Sequence, residues 1–445
     1  MKNLIPDNVS KHTNVYDVLE ERGLIAQCTN PGKFRELLGN EKIKFYIGFD
    51  PTADCLHIGH FIPMITMMYM QKYGHTPVFL LGGGTGEVGD PSGKADMRQV
   101  MTIDTIDENC RQFKKLFDKY IDFDDEWKYE GNEGVYTPGH QNREPKPGYA
   151  VSVNNAEWIR PAKFTEFARY IGTQFNVNTM LRAECFKTRM DRDTGLSFFE
   201  FSYMLLQSYD FYVMHRDFGL MAQLGGNDQW SNIIGGVDLT RKLTGDEVFG
   251  LTVSLLLKSD GEKMGKTVGG ALWLDERKTP VYDFFQYWRN VADADVVKCL
   301  KMLTFVPIEK IEEMEAQLAA TGDGKLYNEA KELLASELTT LVHGEEEGKK
   351  ALDAARAVFG GGGNSENMPT TALTAEQLTD GSINICDLLV ACKLVPTKSE
   401  GRRNVQQGGV SVNNEKVTDP NAMIAIEGEV IVKKGKKVFH KVTKA

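Results

Sequence analysis

The sequence predicts an α/β protein: a parallel sheet in the first half, then a helical domain, then a small basic α+β domain. Three observations carry this. Short β-like apolar runs alternate with helical patterns over the first half. From about 281 to 357 the apolar period is helical throughout. Beyond a glycine-rich stretch at 360–382 the charge reverses sign, with eleven Lys/Arg against six Asp/Glu in residues 381–445. At 445 residues the chain is too long for one ordinary core, so several domains are expected.

Taken in order, KFYIGFD (44–50) reads as a strand, residues 58–73 as a helix and PVFLLGG (77–83) as the next strand. Residues 122–148 are rich in charge, glycine and proline and read as a surface excursion. KIEEMEAQLAA and the run from Asn328 to Phe359 are helices with charged faces. Residues 360–382 have the composition of a flexible linker. After it come two short helical patterns, DLLVACKLV and SEGRRNVQQ, and a strand–turn–strand signal at Asn413–Asn414. No internal repeat is evident.

Composition excludes several classes. Hydrophobic content of 41% with 26% charged residues is that of a soluble globular protein. The apolar run at 61–70 is too short to span a bilayer and is broken by Pro63. The first residues lack an apolar h-region, so no signal peptide is expected. Seven cysteines, scattered and never in a CxxC pair, fit free thiols in a reducing cytoplasm better than disulfides or a zinc cluster. Net charge is −10, yet residues 381–445 carry +5, so an acidic body is joined to a basic tail able to meet an anionic polymer.

Five stretches could carry chemistry. His57 and His60 stand three apart with Gly59 between them, but the chain offers no third ligand to make them a metal pair. GGGTGEVGDPSGK (82–94) contains GxGxxG at Gly84, Gly86 and Gly89, without a clean acidic ribose ligand about twenty residues on. Its GK also fails as a P-loop, with Val88 and Ala95 at the required glycine and hydroxyl positions, so a glycine-rich strand-to-helix turn is the plainer reading. LKSDGEKMGKTVGG (257–270) reads as a mobile loop that cannot pack a core and carries Lys263 and Lys266 as point charges, suited to a polyanion. FFEFSYMLLQSYDF (198–211) puts Tyr203, Gln207 and Asp210 on one face of a helix, where half-buried polar groups need partners. AQLGGNDQWSN (222–232) adds a strand-to-helix turn fit to hold a ribose.

In order along one chain, H-x-G-H after a strand and KMGKT some two hundred residues later resemble the class I aminoacyl-tRNA synthetases. YIGFDPTADCLHIGH, GDPSGK, FSYMLLQSYDF, GGNDQW, KMGKT and TLVHGEE, with the basic end domain, resemble the bacterial tyrosyl branch over nearly the whole chain. KMGKT departs from the class-wide KMSKS at two positions, where tyrosyl enzymes often carry Gly and Thr. The resemblance implies a Rossmann-like catalytic domain with a dimer-forming insertion (1–254), the KMGKT loop and a helical anticodon-side domain (255–357), a linker (358–382) and an RNA-binding domain (383–445).

It also implies the reaction: L-tyrosine and ATP give tyrosyl-adenylate and pyrophosphate, and the tyrosyl group passes to the 3′-terminal adenosine of tRNA(Tyr). By the same resemblance Tyr46 and Asp210 bind the phenol, and Asp90, Tyr203 and Gln207 the ammonium. Gly48, Asp50, Gly59, Gly226, Asp228 and Gln229 meet ATP or the adenylate. His57, His60, Thr52, Lys94, Arg98, Lys263, Lys266 and Thr267 act on the phosphates. Gly59 is expected to let adenine approach the backbone, and Mg²⁺ to arrive with ATP. Lys398, Arg402, Arg403 and Lys416 are expected on tRNA phosphates, and the assembly to be a cytoplasmic homodimer with no membrane partner. A tryptophanyl enzyme would share the class motifs without needing the Tyr46/Asp210 pair. A nicotinamide dehydrogenase would leave KMGKT unexplained, and a non-catalytic RNA-binding protein would explain the tail alone.

Overall fold

Parallel strands buried on both faces need continuous apolar sequence, and the first half of the chain supplies it. The computed structural model describes residues 4–92, 101–130, 135, 142–190, 195–267, 270–359, 370–413, 415–435 and 438–444. It divides into two compact units, Met1–Leu274 with Val297–Gln317, and Asp275–Val296 with Leu318–Ala445.

The first unit is built on a six-stranded sheet of β1 (Ile25–Cys28), β2 (Lys44–Phe49), β3 (Thr76–Leu81), β4 (Val151–Asn154), β5 (Ala222–Gly226) and β6 (Phe249–Val253), in the order β1-β6-β5-β2-β3-β4. All neighbours are parallel except β1, which runs antiparallel to β6 at the edge. Tyr46 lies beside Val78 of β3 and Gln223 of β5. The chain leaves β2 for β3 on one side and returns to β5 on the other, so a crevice opens at the carboxyl ends of β2 and β5.

The helix Phe198–Phe218 is fixed at both ends. Ser197 Oγ accepts from the Glu200 amide at 3.2 Å, Glu200 Oε2 accepts from the Ser197 amide at 3.2 Å, and Gly219 closes the other end at φ 65°. Within residues 122–148, the described residues correct the expectation of a surface excursion. Trp127 and Val135 are buried, and with Tyr129 they pack in the core cluster that holds Tyr46 and Trp158. The aromatic residues scattered among the charges gain more from burial than the charged neighbours lose at the rim. Residues 297–317 belong to this unit too: the buried Arg22 guanidinium donates to the carbonyls of Val9, Lys301, Thr304 and Val306 at 2.7–3.1 Å.

The loop after β6 carries a two-strand ribbon, β7 (Lys266–Thr267) on β8 (Gly270–Ala271). Its composition suggests no core anchor, and the structure corrects this. Met264 is 7% exposed, with Sδ 3.6 Å from Cys299 Sγ.

In the second unit, the helix Gly324–His343 buries Ala330, Leu334, Ala335, Leu338 and Val342 at helical spacing. The C-terminal part forms β9 (Thr370–Leu373), β10 (Ser382–Asn384), β11 (Val410–Val412), β12 (Glu415–Val417), β13 (Met423–Ala425), β14 (Val430–Lys434) and β15 (Val438–Lys444), with helices Ile385–Ala391 and Lys398–Gln406. Its sheet runs β12-β11-β14-β15-β9, and β10 pairs separately with β13. The expected linker is therefore shorter at its far side. Thr370–Leu373 pairs in parallel with Lys441–Lys444, and Leu373 is fully buried. No helix among the described residues is long and apolar enough to cross a membrane.

Candidate active site

The crevice at the carboxyl ends of β2 and β5 is a cavity of about 490 Å³. Every expected small-molecule residue with a described side chain lines it: Tyr46, Gly48, Asp50, Thr52, His57, Gly59, His60, Asp90, Tyr203, Gln207, Asp210, Gly226, Asp228, Gln229 and Lys263. Lys266 and Thr267 lie in β7 and their side chains are not described, while Lys94 and Arg98 fall outside the described residues.

At one end of the cavity stand Tyr46 and Asp210. The Asp210 carboxylate accepts from Asn155 Nδ2 at 2.9 Å and Trp158 Nε1 at 2.7 Å. Burial nonetheless pushes its pKa up to about 8. Burial and the Asp210 charge also hold the Tyr46 phenol well above its ordinary value, so Tyr46 keeps its proton and remains a donor. Among the described residues, three buried oxygens on side chains of this cavity's lining have no hydrogen-bond partner: Tyr46 Oη, Gln207 Oε1 and Gln223 Oε1. Buried polar atoms are nearly always paired, so three orphans on residues lining one cavity are groups prepared for a ligand.

Two further carboxylates face the same space. Asp90 accepts from Gln229 Nε2 at 2.6 Å and from the Ser92 amide at 2.9 Å, and burial raises its pKa to about 6. Asp50 accepts from Tyr203 Oη at 2.9 Å and Thr85 Oγ1 at 2.9 Å. Tyr203 thus donates to Asp50, and its lone pairs are what it can offer an ammonium. The glycine turn after β3 exists for packing: a Cβ at Gly82 would meet Asp50 Oδ1 at 2.2 Å, and one at Gly84 would meet Ile159 Cβ at 2.8 Å. That geometry, not a phosphate fingerprint, accounts for the run.

The two histidines cap the helical start. His57 Nδ1 accepts from the Gly59 amide at 3.0 Å, and His60 Nδ1 accepts from the His57 amide at 3.2 Å. Their rings stack at 4.0 Å. An imidazole accepting at Nδ1 carries its proton on Nε2, so both are Nε2–H donors when neutral. Burial, with a smaller contribution from Lys263, lowers the His57 pKa and keeps it neutral. Gly59 has a more local reason than adenine access, since a Cβ there would meet His57 Cε1 at 2.8 Å. The KMGKT segment is stitched to this turn through the residue after β8: the Leu272 amide donates to Gly265 O at 2.7 Å and the Ile58 amide to Leu272 O at 2.9 Å.

In the C-terminal part, Lys398, Arg402 and Arg403 lie on the helix Lys398–Gln406, Lys416 lies on β12, and all four are exposed. Lys398 pairs with Asp387 at 2.5 Å. Lys434, within KKGKK, donates instead to the Leu394 carbonyl. Sequence reasoning missed Thr85, Ser92, Asn155, Trp158 and Gln223. Asn155 directly follows β4, and the rule that ligands gather at carboxyl ends of parallel strands could have found it. The other four have no local signal. Among the described residues no group of three or more His, Cys, Asp or Glu could hold a metal ion, and none of the seven cysteines is in a disulfide.

Residues 38–360 match the family model of class I tRNA synthetases (W and Y), and residues 363–442 that of the tyrosine–tRNA ligase SYY-like C-terminal domain. The chain is 50% identical over 434 residues to the tyrosine–tRNA ligase of Acetivibrio thermocellus, covering 97% of this chain and 99% of the relative. It is 49% identical over 436 residues to that of Clostridium perfringens, covering 97% and 100%. Among solved structures, a C-terminally truncated mitochondrial tyrosyl-tRNA synthetase of Aspergillus nidulans superposes with a TM-score of 0.65 at 26% identity, over 78% of this chain and 95% of its own. Sequence, fold and motif order agree, and the chain belongs to the tyrosine–tRNA ligases of the class I aminoacyl-tRNA synthetases.

Proposed function

We propose that the cavity binds L-tyrosine and ATP and joins them, and that the basic C-terminal module holds tRNA(Tyr) for the transfer that follows. The observation that carries the reading is the set of orphaned buried oxygens beside Asp210: a hydroxyl and two amide oxygens around a space that suits an amino acid with a polar ring substituent. Tyr46 and Asp210 take the phenol, the first donating and the second accepting. Asp90, Tyr203 and Gln207 accept from the ammonium. A carboxylate oxygen of tyrosine attacks the α-phosphorus of ATP, forming the P–O bond of the adenylate while the bond to the β-phosphate oxygen breaks and pyrophosphate departs.

The Nε2–H groups of His57 and His60 donate to the charge that builds at phosphorus, in a water-poor site where such donors act strongly. Thr52, Lys94, Arg98, Lys263, Lys266 and Thr267 meet the phosphates, with Mg²⁺ entering as the metal complex of ATP. Gly48, Asp50, Gly59, Gly226, Asp228 and Gln229 hold the nucleotide side. Lys398, Arg402, Arg403 and Lys416 meet tRNA phosphates. Large apolar side chains standing in water at Phe164, Val177, Phe198 and Phe199 support a homodimer. Seven cysteines outside any disulfide support a cytoplasmic location.

ATP–pyrophosphate exchange with each of the twenty amino acids tests this directly. Tyrosine alone should support exchange, and Tyr46→Phe should narrow the tyrosine/phenylalanine ratio of kcat/KM by about ten- to a hundredfold, the cost of leaving a buried partner unpaired. Exchange driven by tryptophan, or an unchanged ratio, would sink the phenol assignment.

A further inference from the structure

We propose that Tyr129 is a positioning residue for phenol recognition: its ring holds the Trp158 indole in the orientation that keeps Nε1–H on Asp210. Tyr129 lies in the charged, proline-rich stretch 122–148, which takes no part in the steps proposed for catalysis. The two rings meet edge to face, with centroids 5.4 Å apart and planes at 84°. Trp158 Nε1 donates to Asp210 Oδ1 at 2.7 Å. Tyr129 is itself held at both ends. Its hydroxyl donates to Asp217 Oδ2 at 2.9 Å, and its ring packs on Phe218 at 5.2 Å. Asp217 is 4% exposed and pairs with Arg216 Nε at 2.6 Å.

Asp210, Asp217 and Phe218 all belong to the helix Phe198–Phe218. The contacts therefore form a closed circuit, from Asp210 along its own helix to Asp217, across to Tyr129, on to Trp158 and back to Asp210. Other described residues of the stretch secure Tyr129. Trp127 packs on Phe218 and donates Nε1–H to the Arg143 carbonyl at 2.5 Å, and Asn142 Oδ1 accepts from the Glu130 amide at 2.7 Å. Asp210 keeps two donors, Asn155 and Trp158, and only the second is steered from this stretch. A site reading a hydroxyl must hold its acceptor to within a fraction of an ångström, and a buttress beyond the contacting residue supplies that.

The inference rests on Asp210 being the phenol's partner, so Tyr46→Phe accompanies it as a control. The full-length enzyme is assayed by exchange with tyrosine and with phenylalanine. Tyr129→Leu keeps apolar volume but removes the ring edge. It should narrow the tyrosine/phenylalanine ratio about two- to tenfold, the range of one edge-to-face pair, with KM for ATP and the melting temperature little changed. Tyr129→Phe keeps the ring and should restore most of the ratio. If Tyr129→Leu destabilises the fold, the Tyr129→Phe/Trp158→Phe cycle replaces it, and the small effect of Tyr129→Phe should vanish once the indole N–H is gone. A folded Tyr129→Leu enzyme with an unchanged ratio, where Tyr46→Phe narrows it, overturns the buttress alone. So does a loss shared equally by tyrosine and ATP, or additivity in the cycle. An unchanged ratio in Tyr46→Phe overturns the phenol reading and the buttress with it.

Discussion

Asp90 is a carboxyl group held on the edge of ionisation. Burial raises its pKa to about 6, against the pull of Gln229 and Ser92, while the charge of Asp50 nearby adds to the rise. An ammonium is met by the ionised form, so proton binding to Asp90 competes with tyrosine. The kcat/KM for tyrosine should fall as pH drops through about 6, by up to about tenfold per unit, and Asp90→Asn should flatten that limb at a low level. A profile of the parent enzyme that stays flat down to pH 5 would remove Asp90 from the ammonium site. At this scale the sequence was most legible where a side chain and its motif coincide: His57, His60, Tyr203, Gln207 and Asp210 all stand at one cavity. What it hid were the partners of partners. Nothing in the order of residues says that Trp158 donates to Asp210, because that hydrogen bond exists only once β4 lies beside β3.

The KMGKT segment shows how far composition carries for a whole element. Four glycines around Lys263 and Lys266 read as a loop without a core, and Met264 on Cys299 corrects that. Gly265 then gains a reason in the backbone. It sits at φ 85°, and a Cβ there would stand 2.1 Å from Ile58 Cγ2. Gly265→Ala should therefore lift the lysine-bearing segment off the His57–His60 turn. Left-handed backbone alone costs about 1–2 kcal/mol for alanine, so tyrosyl-adenylate formation should slow about tenfold or more. KM for tyrosine should move less than about twofold, since Tyr46 and Asp210 lie elsewhere in the cavity. A rise in that KM matching the loss of rate would show the substitution acting on the fold. The stretch 122–148 was misread for the opposite reason: its charges dominate the composition, while Trp127, Tyr129 and Val135 find their partners on elements remote in sequence.

For the whole molecule, the order of sheet, helices and basic end domain was readable from periodicity and charge, but the beginning of the end domain was not. Thr370–Leu373 looks like linker until β15 lies beside it. A chain ending after residue 359 removes that strand and all that follows. It should form tyrosyl-adenylate at close to the full-length rate, yet charge tRNA(Tyr) poorly. Its residual tRNA affinity should depend less on salt, by about 0.7–0.9 in log–log slope for each phosphate that the tail had neutralised. A truncated enzyme that charges tRNA as well as the intact one would free the tail from that role. The central pairing of the catalytic sheet has a kinetic consequence as well. β2 takes its neighbour β5 from far along the chain, Phe45 beside Ala222, so the phenol end of the cavity joins segments that meet only after most of the unit has been made. Such long-range closure comes late, and the collapsed intermediates before it hold no tyrosine site. Tyrosine should therefore slow unfolding of the native enzyme in denaturant while leaving the refolding rate unchanged, because ligand free energy enters only beyond the barrier. Stopped-flow refolding that accelerates with tyrosine would mean that the two halves of the sheet meet early instead.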